Sequence, residues 1–246
     1  PELQSLEEQL LEPLLGTEPI VEMGMGGHEG VLIDRLCETD GYVEAFEAAF
    51  PDEPSPIHIT NLARAIASYE RSIISADSPY DRRLLGDEAA MSEAALRGQE
   101  LFEGDRMNCW RCHSGPFLDL PILDDGSMAT EPGFFNIGLY NFDGEGSYPP
   151  EDTGLHAITG QAADMGRFRT PSLRNVAVTG PWAHDGSVAS LEGVVESYAR
   201  GGRLLTSGAY AGDGADSPLK EVWLSGFEMS EDEADDLLAF LESLTD

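Results

Sequence analysis

Apolar residues recur at helical spacing in several separate stretches of the chain. Leu3, Leu6, Leu10 and Leu14 fall on one face of a helix over residues 1–15, which Pro13 is expected to end or kink. A loop containing Gly24, Gly26 and Gly27 leads to a second helix expected over about residues 30–50. Pro51, Pro54 and Pro56 then break the chain. Leu62, Ile66, Tyr69 and Ile73 share a face of the next helix, with Thr60 suited to cap it. Residues 77–87 read as a connector, and a helix over about 92–102 follows. Further on, Leu191 to Arg200 reads as a helix. Ser230 and Glu233 form a capping-box pattern ahead of a stripe of Leu237, Leu238, Phe240, Leu241 and Leu244. Between them, residues 114–179 are rich in Gly, Pro, Asp and Tyr and show little periodicity. So long an irregular stretch is expected to wrap a large ligand whose contacts replace a peptide core. Almost nothing alternates as a strand and no internal repeat is visible, so the fold class expected is all-α.

Composition narrows this picture. A chain of 246 residues with 41% hydrophobic content can bury one large core or two small ones. No apolar run approaches the ~18 residues of a membrane span, so no span is expected. The chain lacks an initial Met and a basic-then-apolar leader, which reads as a processed chain or a segment of a longer one. Its 46 acidic against 14 basic residues give a net charge of −32. That charge implies a well-solvated acidic surface able to steer a basic partner. It repels phosphates, so nucleic-acid binding is not expected.

The three cysteines carry the clearest chemistry. Cys37 falls in a helical stretch and is expected to be a small buried apolar residue. Cys109-Trp110-Arg111-Cys112-His113 is the spacing of covalent c-type haem attachment. Two Cys three apart on a helical turn face the same way, so each can form a thioether with the porphyrin. His113, one turn beyond Cys109, then points an imidazole at the iron. A structural zinc site would need a second ligand pair, and none has matching spacing. A thioredoxin-like redox pair would need a strand–helix–strand setting, which the pattern lacks. The chemistry of covalent haem attachment implies a periplasmic or exported location. Spacing alone leaves the sixth iron ligand open among Met128, Tyr140, His156, Met165, His184 and Tyr198.

Longer motifs extend this reading. Gly98 and Phe102 precede the haem motif, and the Leu/Phe-rich helix ends the chain, a pattern that resembles the cytochrome c domain. Arg167 to Val176, then Thr179-Gly180-Pro181-Trp182-Ala183-His184-Asp185-Gly186, resemble the C-terminal haem domain of the bacterial di-haem cytochrome c peroxidase and MauG family. Residues 6–25 resemble its inter-haem segment. Ser78-Pro79-Tyr80-Asp81, Gly138-Leu139-Tyr140-Asn141 and Asp164 to Arg169 resemble its MbnH-like branch. The resemblance implies an inter-haem helical segment over residues 1–85, belonging to a first haem domain, and a cytochrome c-like domain over 86–246.

The resemblance also implies roles. Family members place the distal iron ligand 19 residues after the Thr of a Thr-x-Pro turn, which from Thr179 lands on Tyr198. Peroxidases carry Met there; MauG-like and MbnH-like enzymes carry Tyr. Carbonyls of Thr179 and Pro181 are implied as ligands of Ca2+ between the haem domains. Gln9 and Glu22 correspond to the distal pocket at the other haem, where a carboxylate would serve as general acid/base. Arg169 and Arg174 are candidates to pair with haem propionates. The implied reaction uses hydrogen peroxide to reach a high-valent state shared by two haems c, which oxidises a partner protein's side chain, Trp by analogy, or a small donor. This chain carries one attachment motif where the family has two. A conventional cytochrome c peroxidase and a non-catalytic electron-transfer cytochrome remain the alternatives.

Overall fold

The computed structural model describes the chain except residues 1, 2, 4, 18–21 and 124. It divides into two compact units, 1–74 and 75–246. Among the described residues no helix is long and apolar enough to cross a membrane.

The first unit holds α1 (Leu6–Leu15), α2 (Glu29–Glu38), α3 (Tyr42–Ala49) and α4 (Ile59–Ser72). Helix α1 starts where the Ser5 side chain accepts from the Glu8 N–H, and it runs past Pro13 to Leu15 rather than ending there. It packs on α4. Leu14, Phe46 and Leu62 form the small core, with Leu32 and Leu36 of α2 against it. The single helix expected over 30–50 is two helices. Gly41 adopts φ 86°, a left-handed conformation that only glycine takes freely, and it breaks the run. Cys37 is exposed, against expectation, because it lies one position beyond the Leu32–Leu36 stripe that faces the core. Thr60 does not cap α4: His58 holds the cap position and Thr60 lies inside the first turn. The apolar face of α4 is buried only in part, since Leu62 packs inside while Tyr69 and Ile73 are exposed.

The second unit opens with α5 (Pro79–Leu84), where the sequence suggested only a connector. Ser78 and Asp81 close a reciprocal capping box around Pro79, whose fixed φ suits a first helical position. Helix α6 (Glu93–Glu103), capped by Ser92, leads into a 3-10 turn at Cys109–Arg111. The irregular stretch holds α7 (His156–Thr159) and a two-residue antiparallel pairing of β1 (Phe134–Phe135) with β2 (Phe168–Arg169). Helix α8 (Leu191–Arg200) follows, then the short pairing of β3 (Leu204–Leu205) with β4 (Gly212–Asp213), and finally α9 (Glu231–Glu242). The unit is thus mostly helical, with very little strand.

Its core forms where α6 crosses α9. Gly98 sits at the crossing: a Cβ built on it would lie 1.9 Å from the Asp236 carbonyl oxygen and 2.9 Å from the Phe240 Cβ. The contact brings Phe102 and Phe240 to 5.0 Å between ring centroids, a spacing favoured for tilted aromatic pairs. Arg97 clamps Asp236 at the same crossing with two bonds of 2.7 Å.

A second tie joins α5 to the irregular stretch. Arg174 donates twice to Asp81 at 2.7 Å and once, through Nε, to the Pro116 carbonyl at 2.8 Å. Both side chains of the pair are only about a tenth exposed, at 12% and 10%. The Arg174 guanidinium, helped by Ser78, holds the Asp81 carboxyl down at about 2.

Two glycine substitutions are expected to act in opposite directions. Gly98→Ala, which drives a methyl into the α9 backbone, should lower the unfolding free energy by about 3 kcal/mol. Gly30→Ala in α2, where an added Cβ meets nothing within 4 Å, should raise it by about 0.5 kcal/mol. Urea melts of the two variants read both signs.

The Asp81–Arg174 pair predicts an acid-sensitive stability. A carboxyl held at about 2, against an ordinary 3.8, adds stability that is full above pH ~4 and is lost as pH falls toward 2. Asp81→Asn should cost about 2 kcal/mol at pH 7. The gap from the parent protein should close across that window in urea melts taken at successive pH values.

Candidate functional site

The Cys-x-x-Cys-His segment folds as its spacing requires. Asn108 takes a left-handed φ of 61°, which Asn tolerates better than most residues, and starts the 3-10 turn. The N–H groups of Cys112 and His113 both donate to the Cys109 carbonyl, at 3.2 and 3.0 Å. The segment follows α6 and lies under the aromatic pair made at the α6–α9 crossing, with Phe102 6.5 Å from the His113 ring.

A cavity of about 470 Å³ opens against this turn. Tyr80 from α5, Phe102 from α6, Trp110 and His113 from the turn, Leu118 from the loop and Phe240 from α9 line it. That size lies within the range of small-molecule and cofactor sites.

His113 has a defined tautomer. Its Nδ1 lies 2.8 Å from the Leu118 carbonyl oxygen. A carbonyl can only accept, so the proton is on Nδ1 and Nε2 keeps its lone pair. Metal-bound histidines are oriented by this kind of second hydrogen bond. Leu118 holds a left-handed φ of 54°, a costly conformation for a leucine. Burial pushes the His113 pKa down, which keeps the imidazole neutral as a ligand must be.

Burial pushes both thiols, Cys109 and Cys112, up to about 12. A pocket that resists thiolate suits a neutral thioether and is a poor start for thiolate–zinc bonding. Among the described residues no cluster of three or more His, Cys, Asp or Glu is arranged to hold a metal ion. Trp110 adds a further mark: its buried Nε1–H has no partner, although it belongs to a cavity-lining side chain. An unpaired buried donor on a cavity wall indicates an acceptor supplied by a bound group. The free His113 Nε2, the two neutral thiols on one turn, the aromatic walls and this orphan donor together fit a haem.

The remaining candidates fall in different places. Tyr198 lies partly buried on α8, and burial pushes the pKa of its hydroxyl up. Tyr140 donates to Asp185 at 2.6 Å, and His184 pairs with Asp152 at 2.8 Å while stacking on Phe168. His156 bonds the Gln161 carbonyl, Met128 is about half exposed, and Met165 lies partly buried after a 3-10 turn. Thr179 and Pro181 sit on an exposed loop. Arg169 is exposed on β2, and Arg174 is engaged by Asp81 and Pro116. Gln9 and Glu22 are exposed in the first unit, Gln9 on α1 and Glu22 in the loop that follows it. Sequence reasoning missed the Leu118 carbonyl and the orphan Trp110 donor. It also named Tyr80 and Asp81 only as part of a motif. The Ser-x-x-Asp spacing at Ser78 and Asp81 was the readable signal of that capped turn.

Residues 2–89 match the profile described as di-haem cytochrome c peroxidase. Methylamine utilization protein MauG of Methylorubrum extorquens is 34% identical over 243 residues, covering 98% of this chain and 58% of that protein. A cytochrome-c peroxidase of Pseudomonas sp. strain SCT is 32% identical over 257 residues, covering 99% of this chain and 62% of that protein. The chain therefore spans about three fifths of the length of these relatives. The crystal structure of a MauG-like protein associated with microbial copper homeostasis superposes with a TM-score of 0.89 at 42% identity, covering 100% of this chain and 70% of that one. Identity of that order over the whole chain leads to one conclusion: the chain belongs to the di-haem cytochrome c peroxidase and MauG family.

Proposed function

We propose that this chain supplies the six-coordinate haem of a di-haem oxidoreductase that takes oxidising equivalents from hydrogen peroxide and spends them on a donor. The donor is a partner protein's side chain, Trp by analogy with the MbnH-like branch, or a small molecule. The observation that carries this reading is the cavity against the Cys109–Cys112 turn, where His113 is oriented by the Leu118 carbonyl with Nε2 left for a metal and where the Trp110 donor has no partner. Haem bound there supplies a redox-active iron between peroxide and donor.

The protein's own residues set what that iron favours. Cys109 and Cys112 fix the macrocycle by thioethers. The Leu118 carbonyl holds the His113 proton on Nδ1 and aims Nε2. Tyr198 would offer the iron a hard oxygen donor, which favours oxidised iron more than a thioether would. Phe102, Leu118 and Phe240 would give the bound group apolar walls. In the same reading Gln9 and Glu22 serve the distal pocket of the other haem, Glu22 moving a peroxide proton. The Thr179 and Pro181 carbonyls take part in a Ca2+ site, a hard-oxygen donor set suited to that ion. Arg169 and Arg174 stay assigned to propionates, with Arg174 also committed to Asp81. The location is periplasmic or exported, where c-type attachment is carried out.

A second reading, an electron-transfer cytochrome, draws on the single attachment motif of this chain. Adding peroxide to the complete protein separates the two. Loss or shift of the Soret band, with two haems by pyridine haemochrome, supports the enzyme, and an inert band supports the relay.

Tyr198→Met should raise the reduction potential of the haem held here, within the roughly 0.8 V span that axial ligands command. Spectroelectrochemical titration reads it, and an unchanged potential and ligand-field spectrum would remove Tyr198 from the iron. Cys109→Ala with Cys112→Ala should leave any haem extractable by acid acetone.

A further inference from the structure

A second cavity, of about 190 Å³, lies in the same unit as the haem motif but is built from other residues. That is room for about six waters, or for one compact organic group. Its walls are aromatic. The Tyr140 ring stands nearly perpendicular to Tyr148, 5.5 Å away at 72°, and to Tyr210, 6.0 Å away at 84°. Tyr148 continues to Phe168 at 6.0 Å, and His184 stacks flat on Phe168 at 3.7 Å. Rings set at right angles around a void present their electron-rich faces from several directions. That is the arrangement by which proteins recognise alkylammonium ions.

The polar groups at the cavity favour the same charge. Asp152 and Asp185 line it, and Glu151 accepts from the Tyr210 hydroxyl at 3.1 Å. On the other side of the ledger stand His184, paired with Asp152, and Arg203, paired with Asp185. Three carboxylates against one guanidinium and an imidazole leave the rim negative at neutral pH. Arg203 stands outside the lining and already sits over the Tyr140 ring, 4.4 Å from its centroid, so this ring accepts a cation within the native fold.

We infer that the cavity bounded by Tyr140, Tyr148, Tyr210, Phe168 and His184 binds an alkylammonium group. Two sources carry that chemistry: a free quaternary ammonium compound, or a lysine side chain, methylated or not, on a docking protein. The site is independent of the haem assignment.

The test is calorimetric titration of the protein as purified with choline and with its neutral carbon isostere, 3,3-dimethylbutan-1-ol. Working at 0.15 M NaCl screens the general attraction of a chain of charge −32 for any cation. Choline is expected to bind with defined stoichiometry and the isostere to bind far more weakly. Tyr210→Leu should weaken choline by about 5- to 30-fold, the equivalent of one desolvated cation–π contact. Asp152→Asn, at a partly exposed carboxylate, reads the same site should the Tyr210 variant fail to fold. Peptides carrying lysine or trimethyllysine distinguish the sources: tighter peptide binding places the cation on a protein, tighter choline binding makes it a free solute, and both support the site. Equal binding of choline and the neutral isostere, no binding of any of these cations, or choline affinity unchanged in both variants would overturn it.

Discussion

The close approach of α6 and α9 at Gly98 is the constraint from which the second unit's geometry follows. With no side chain at that point, the Asp236 carbonyl comes to within the space a methyl would occupy. The distance between helices then sets where Phe102 and Phe240 meet. Those rings form the roof of the cavity, and the turn bearing Cys109, Cys112 and His113 follows directly from the end of α6. A substitution that parted the helices would therefore act on the site as well as on the core. The Arg97–Asp236 clamp joins the same two helices and the Arg106–Glu233 pair ties the loop after α6 to α9, but with both arginines about half exposed they add little beside the buried contact.

Parts of this were legible in the sequence because their causes are local. The Ser230–Glu233 box announces α9, and the apolar positions from Leu191 to Arg200 mark α8, since capping and helical periodicity act over three or four residues. The Cys109–His113 turn is legible for a similar reason, since its N–H groups close back on the Cys109 carbonyl within four residues. What failed depended on context beyond the window. The break at Gly41 rests on one residue's left-handed φ, which a periodic pattern does not register. Cys37 looked apolar and helical, yet its side of α2 faces outward. Tyr69 and Ile73 continue the stripe of Leu62 and Ile66 but have no neighbour within the unit to bury them. The Leu118 carbonyl could not be foreseen, because a leucine at φ 54° has no sequence signature.

The long irregular stretch illustrates the same division. Its lack of periodicity leaves little regular structure to order it, so its order must come from specific contacts. The structure supplies them through buried polar groups. Asn136 accepts from the Tyr148 hydroxyl and the Gly138 N–H, while its amide donates to the Met165 carbonyl. Asn141 donates to the Asp213 carbonyl and accepts from the Gly146 N–H. Each amide uses both donor and acceptor ends, satisfying backbone groups that would otherwise be buried unpaired. Loop order built in this way also holds the second cavity, since Tyr148 belongs to the network and its ring packs edge-on against Tyr140.

Electrostatics then separate the surface from the interior. Outside, the chain is strongly acidic and its charges are solvated. Burial moves His113 down and Cys109, Cys112 and Tyr198 up, each toward its neutral form. A neutral imidazole and two thiols destined for thioethers are served by that environment as they stand. Tyr198 alone is opposed by it, because an anionic oxygen there lacks any protein cation to balance it among the causes that set its acidity. Phenolate at that position requires positive charge from the bound group itself, which is what ferric iron provides. Under the proposed Tyr198 ligation, a hard oxygen donor would therefore favour holding oxidising equivalents over passing single electrons.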